Sequence, residues 1–293
     1  MSASRDDVTL ISVVGAVEES LLVAFVEHYR SLGVNAVRLG FHFTPNITSR
    51  VRRRLVALAE QLGAAAPIVS KGPWRVETNG LIRDELRRRA DSRWHVLADA
   101  DEFQAHPGGI GRTVARCEAY DHPLAVGLLV DRFADRELTL ASMPAPNKLD
   151  ETFPQGSFFT HRVLDGDPRK LTVVRDDIAV GSGQHHAPEH TKLERLRPLP
   201  VHHFKWKRGV RSYLRARAGY FVDSEDPSET SMRHEAMAAE RALDALGLDQ
   251  RSPGALAWFD ASLRQLPEAW TEIAAPVWEH WQVTRWEPDE VGR

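Results

Sequence analysis

The chain has a single cysteine, Cys117, among its 293 residues. That excludes an internal disulfide and fits a reducing compartment. No apolar run approaches the ~20 residues that a bilayer-crossing helix needs, so no membrane span is expected. Strong charge of either sign is also missing: 38 Lys and Arg against 41 Asp and Glu leave a formal net charge of -3. Such a balance gives no general attraction to nucleic acid or anionic membrane, and any anion-binding role has to come from a local patch. The polar, acidic opening (Arg5, Asp6, Asp7) lacks the build of a secretory signal. The expectation is a cytoplasmic protein. Internal repeats and low-complexity tracts are absent too.

What is present is an ordinary globular composition, 42% apolar and 27% charged, long enough for one large α/β domain or a catalytic domain with a helical appendix. Val8 to Val14 is a β-branched run ending at Gly15, the pattern of a buried parallel strand. Leu21, Leu22, Phe25, Tyr29 and Leu32 follow at helical spacing and stop at Gly33. Asn35 to Phe43 reads as a second strand, Val51 to Leu62 as a second helix, Pro67 to Ser70 as a third strand and Thr78 to Arg89 as a third helix. His95 to Ala98 is a strand running into Asp99. This alternation over the first hundred residues predicts a Rossmann-like parallel sheet, whose ligands sit beyond the carboxyl ends of its strands. Leu124 to Val130, Phe158 to Val163 and Leu171 to Val174 read as further strands. Beyond Pro200 the pattern turns helical, with apolar stripes at Met232 to Leu246, Leu256 to Leu266 and Trp270 to Trp281.

Asp99-Ala100-Asp101-Glu102 closes an apolar strand. Carboxylates at alternate positions near a strand end can both reach one hard cation, and Mg²⁺ or Mn²⁺ so held can bridge the two phosphates of a nucleotide-sugar donor. An isolated Asp-x-Asp is more often a pair of acids in a solvated turn; the wider sequence changes its weight. Glu18 to Leu22 with Glu27-His28-Tyr29-Arg30-Ser31-Leu32-Gly33-Val34, then Trp94 to Phe103, Val130-Asp131-Arg132, Phe153-Pro154, Lys170, Gly183-Gln184-His185 and His202-His203-Phe204-Lys205-Trp206 occur in order. In these segments the chain resembles bacterial family 2 glycosyltransferases related to family 92, of the GT-A fold. The resemblance implies a mixed sheet flanked by helices over residues 1–205, with a C-terminal helical region over 206–293 packing on it. It also implies inverting transfer of a sugar from a nucleotide-diphosphate donor to an acceptor hydroxyl, on a small molecule or a glycan. Mn²⁺ or Mg²⁺ would be bound by Asp99 and Asp101, with His203 or His185 as a third ligand from a late loop.

Two segments depart from the family. Val17-Glu18 stands where an Asn-Glu pair is usual, and Phe41-His42-Phe43-Thr44-Pro45-Asn46 replaces an Asp-rich stretch that helps hold base and ribose. Either the donor differs, or Glu18 and nearby backbone take over. The base for inverting transfer has to reach the acceptor hydroxyl; Asp131 is the first choice, with Glu189 and Asp150 behind it. Lys205, Lys207, Arg208, Arg211, Arg215 and Arg217 come without an intervening acid. Lys205, Arg208 and Arg211 are the expected partners of the donor pyrophosphate, and Arg217 lies off that face. His185-His186 with Glu189 and His190 has the wrong order, and a proline, for a zinc-peptidase helix. Two other functions stay open: a sugar-phosphate nucleotidyltransferase, for which a Gly- and Arg-containing loop after the first strand is missing, and an inactive GT-A-like binding or scaffold protein.

Overall fold

The computed structural model describes residues 8–189, 197–248 and 257–284. Strand β1 (Val8–Val14) is buried along its whole length, as its unbroken apolar and β-branched sequence requires. Helix α1 (Glu19–Ser31) buries Leu21, Leu22, Phe25 and Tyr29 completely. It ends where Gly33 adopts φ +97°, a left-handed C-cap conformation that suits glycine. Strand β2 (Ala36–Phe43), helix α2 (Ser49–Gln61), strand β3 (Ala65–Lys71), helix α3 (Val76–Arg88) and strand β4 (Trp94–Leu97) complete the first half. The four strands are mutually parallel and lie in the order β3-β2-β1-β4. The chain therefore turns to opposite sides of β1, and the switch point between β1 and β4 is where such sheets open a crevice.

The second half is antiparallel in most of its pairings. It comprises β5 (Glu102–Gln104), α4 (Ile110–Ala119), β6 (Leu124–Phe133), α5 (Leu149–Thr152), β7 (Gln155–Ser157), α6 (Phe159–Leu164), β8 (Arg169–Arg175) and β9 (Leu199–His203). Strand β8 pairs with β4 and β6, while β9 runs parallel to β6 and carries β5 on its other side. Helices α7 (Val210–Tyr220), α8 (Pro227–Leu248) and α9 (Trp270–Thr284) follow, with the short strand β10 (Phe259–Asp260) before α9. The result is a mixed sheet flanked by helices. No helix among the described residues is long and apolar enough to cross a membrane.

Two elements differ from the reading of the sequence. The Phe158–Val163 segment is helical, because Asp131 of β6 accepts from the Thr160 backbone N–H at 2.6 Å and from its hydroxyl at 2.9 Å. A buried carboxylate at the first turn satisfies donors that local β-propensity ignores. Phe259 lies in a strand paired with β7 rather than in a helical stripe with Leu263 and Leu266; Leu256 falls outside the described residues. Residues after 206 thus enter the sheet as well as cover it, and Trp270, Val277 and Trp278 pack with Val130, Phe158 and Leu171 in one apolar cluster.

Candidate active site

The acidic turn is built from the backbone outwards. Beyond Leu97 the chain turns through Asp99 to Asp101, with Glu102 N–H donating to Asp99 O at 2.9 Å. The Tyr29 hydroxyl of α1 donates to Glu102 O at 2.9 Å and accepts from Gln104 N–H at 3.2 Å. Gln104 Nε2 in turn bonds Leu97 O at 2.6 Å. The tyrosine of the His-Tyr pair noted in the sequence therefore fixes β5 and, with it, the turn.

Pairing of β5 with β9 sets Glu102 opposite His203 and brings His203 Nε2 to 3.8 Å from Asp101 Oδ2. On its other side His203 Nδ1 lies 3.1 Å from Asp131 Oδ1. An ionised carboxylate only accepts, so Nδ1 carries the proton and Nε2 faces Asp101. Burial pushes the His203 imidazole down, but the bond to Asp131 and the charge of Asp101 outweigh it and hold the group above its ordinary value. Burial raises the Asp101 carboxyl, while His203, Lys207 and Lys205 bring it below the usual range. The pair is a place where positive charge is favoured.

Asp99 turns the other way. Its Oδ1 accepts from Gln184 Nε2 at 3.1 Å and its Oδ2 lies 3.2 Å from Lys170 Nζ. Lys170 is buried on β8, 2.8 Å from Glu102 Oε1 and 3.0 Å from Gly183 O. Burial alone would lower this ammonium, but the two carboxylates keep it protonated. His185 donates Nδ1–H to Arg169 O at 2.7 Å, and burial holds its ring neutral, down to about 4. His185 is thus placed in the wall beside Asp99, with no contact to Asp101 among those of the described residues. No three His, Cys, Asp or Glu side chains among the described residues converge as a ready cation site.

Several expected residues change role. Asp131 has no exposed surface and accepts from Trp206 Nε1 at 2.6 Å as well as from Thr160 and His203. An acceptor hydroxyl has no access to it, so it orients His203 and is not placed to act as a base. Asp150 is taken up by the buried Arg132 at 3.0 Å and by Ser262 at 2.9 Å. Glu189 is exposed at the edge of a described segment, and His190 lies outside the described residues. Arg211 pairs with Asp244 and Leu243 O on α8, so it ties two helices together and is not directed at a donor. The Arg208 side chain is exposed, its backbone bonding Ala141 O at 2.7 Å. Lys205 does lie by the site, 3.7 Å from Glu235 Oε1, and Glu18 meets Lys207 Nζ at 3.5 Å.

The sequence reading did not single out Lys207, Glu235 or Tyr213, and it placed Arg217 off the functional face. Arg217 lies 3.3 Å from Glu235 Oε2 and 4.7 Å over the Trp74 ring. The signal was there in the i, i+4, i+7 spacing of Tyr213, Arg217 and Tyr220, a single helix face. Counting only the basic residues hid it.

No protein-family model and no curated protein matches the chain. Solved structures do. One is S. aureus TarS, 9% identical with a TM-score of 0.36, covering 83% of this chain and 44% of that one. A second is the mannosyltransferase PcManGT from Pyrobaculum calidifontis in complex with GDP-Man and Mn²⁺, 15% identical, TM-score 0.39, covering 82% and 72% of the two chains. A third is S. aureus TarS 1-349 in complex with UDP, 9% identical, TM-score 0.33, covering 79% and 70%. The chain thus spans less than half the length of the first of these.

Proposed function

We propose that the protein is a glycosyltransferase of the GT-A type that transfers a sugar, with inversion, from a nucleotide-diphosphate donor to an acceptor hydroxyl. The observation that carries this reading is the Asp131–His203–Asp101 chain beyond the carboxyl end of β4. A buried carboxylate fixes the imidazole tautomer and turns Nε2 towards a second carboxylate 3.8 Å away, an arrangement typical of metal-binding histidines. Asp101 and His203 would hold Mn²⁺, and less readily Mg²⁺, which prefers oxygen ligands; such a cation would neutralise charge on the departing nucleoside diphosphate.

The chain's own residues divide the remaining work. Lys205 and Lys207 add positive charge beside Asp101, where the leaving group sits. Asp99, Gln184 and His185 form a polar wall suited to sugar hydroxyls, and Lys170 holds Asp99 and Glu102 in place. The base has to be a carboxylate open to the cleft. Glu235, with a side chain 43% exposed, is more accessible than Asp131; burial raises its carboxyl, but Lys205 and Arg217 bring it below the usual range, so it acts only once those cations turn to the donor.

Calorimetry with UDP-, GDP- and dTDP-sugars, with and without Mn²⁺, tests the reading, together with an assay for released nucleoside diphosphate. Metal-dependent binding with turnover is expected. Binding without turnover would identify a binding protein instead, and no binding of any nucleotide-sugar would remove the proposal.

A further inference from the structure

We infer that the nucleoside of the donor is held against an aromatic platform formed by Tyr213 of α7 and Trp74 of the loop after β3. This inference rests on the proposed use of a nucleotide-diphosphate donor and supplies what the departures after β1 and β2 took away.

The placement follows from the two sides of the acidic turn. Towards β8 the wall is polar: Lys170, Gln184 and His185. On the other side, one face of α7 reaches the loops after β2 and β3. Tyr213 lies one turn before Arg217 on that face and is close enough to Asp101 to feel its charge. Arg217 lies over Trp74, and the Tyr220 hydroxyl donates to Asn46 Oδ1 at 2.8 Å, in the loop that follows β2. From Tyr213 to Tyr220 the helix rises ~10 Å, and two strand spacings from β4 to β2 also span ~10 Å. The stripe therefore runs from the cation end of the site to the loop after β2.

A donor is linear: sugar, diphosphate, ribose, base. With its diphosphate at Asp101 and His203, sugar and base must leave in opposite directions. The sugar's hydroxyls suit the polar wall, and the flat base suits the aromatic one. Tyr213 is 50% exposed although it borders this cleft, and Trp74 is half-buried. Arg217, stacked over Trp74, holds its Nε buried with no hydrogen-bond acceptor among the described residues. Stacking reads any base, which accounts for a site that has lost carboxylate contacts to a particular one.

The test compares binding of UDP, GDP and inorganic pyrophosphate in the presence of Mn²⁺. Tyr213→Ala and Trp74→Ala are expected to weaken the nucleoside diphosphates at least ~10-fold. Pyrophosphate affinity should stay within ~2-fold, which also shows that the variants are folded. Tyr213→Phe keeps the ring and should keep the affinity, and Tyr120→Ala, an exposed tyrosine beside His122, should match the wild type. Nucleoside diphosphate binding that survives both alanine substitutions overturns the platform while leaving the transferase reading intact. Failure of the wild type to bind either pyrophosphate or nucleoside diphosphate overturns both.

Discussion

Asp101 and Asp131 are both carboxylates on His203, and their surroundings give them different work. Asp101 has a side chain 29% exposed, and Asp131 has none of its surface exposed. Asp101→Ala is therefore expected to abolish Mn²⁺-dependent donor binding while the melting temperature holds, and His203→Ala to abolish it with a lower melting temperature, because it takes a buried hydrogen-bond partner from Asp131. Asp131→Asn should lower Mn²⁺ affinity by about 10- to 100-fold, as loss of a histidine's orienting partner does. It should also destabilise the protein by ~1–3 kcal/mol, because the new amide N–H₂ would face either the Thr160 backbone N–H or the donors of Trp206 and His203. Calorimetric Mn²⁺ titrations and thermal melts on the three variants check this. Equal melting temperatures for Asp131→Asn and Asp101→Ala would mean that Asp131 does not carry the load assigned to it.

At the scale of elements, helix α7 has two working faces. One, with Arg211 and Arg215, meets the acids Asp244 and Glu240 of α8, and the other carries Tyr213, Arg217 and Tyr220 over the cleft. Of the basic run, Arg211 and Arg215 belong to the first face and Arg217 to the second, while Lys205, Lys207 and Arg208 precede the helix. Exposed pairs of this kind contribute ~0.2–1 kcal/mol each. Arg211→Ala should therefore leave kcat and KM unchanged and cost no more than about 1 kcal/mol in a urea titration. A hundredfold fall in kcat would return Arg211 to the donor site. Helix α6 shows the same dependence on a partner: the Phe158–Val163 segment reads as a strand, and a carboxylate from β6 makes it a helix.

The whole molecule folds around elements that are remote in sequence. Trp270 of α9 is buried, and its indole N–H donates to Pro198 O at 2.8 Å. Arg132 of β6 bonds Ala261 O at 2.9 Å. Trp270→Ala is expected to cost ~3–5 kcal/mol and to lower one cooperative transition; a second, separate transition for the C-terminal helices would contradict this. Acid should act on the same core. Burial pushes His95 down to about 4, with Arg87 helping, and His106 down to about 3 beside His28. The unfolded chain protonates its imidazoles near ~6.5, so it binds more protons than the fold does below that pH. The stability these neutral histidines allow is complete above ~6.5 and is lost as pH falls towards 4, at ~1.4 kcal/mol per pH unit for each. Urea midpoints at pH 7.5 and 5.0 measure it, and equal midpoints would refute it.

Much of the first half of this protein was determined by local sequence. Runs of β-branched residues, helical stripes and the stop at Gly33 suffice for β1 to β4 and α1 to α3, because each element is decided by its own periodicity. The strand-end acids and the late histidine segment stood out through the resemblance to a known family, and periodicity alone did not mark them. Which acid met which base was not. Asp131 lies 72 residues from His203 along the chain, and whether it orients a histidine or accepts a proton depends on burial that only the β5–β9–β6 pairing imposes. The basic helix was visible as charge, but its division into a face for α8 and a face for the cleft appeared only once the helices packed. Periodicity is a property of neighbours in sequence, whereas solvent access and hydrogen-bond partners at a site are set by neighbours in space.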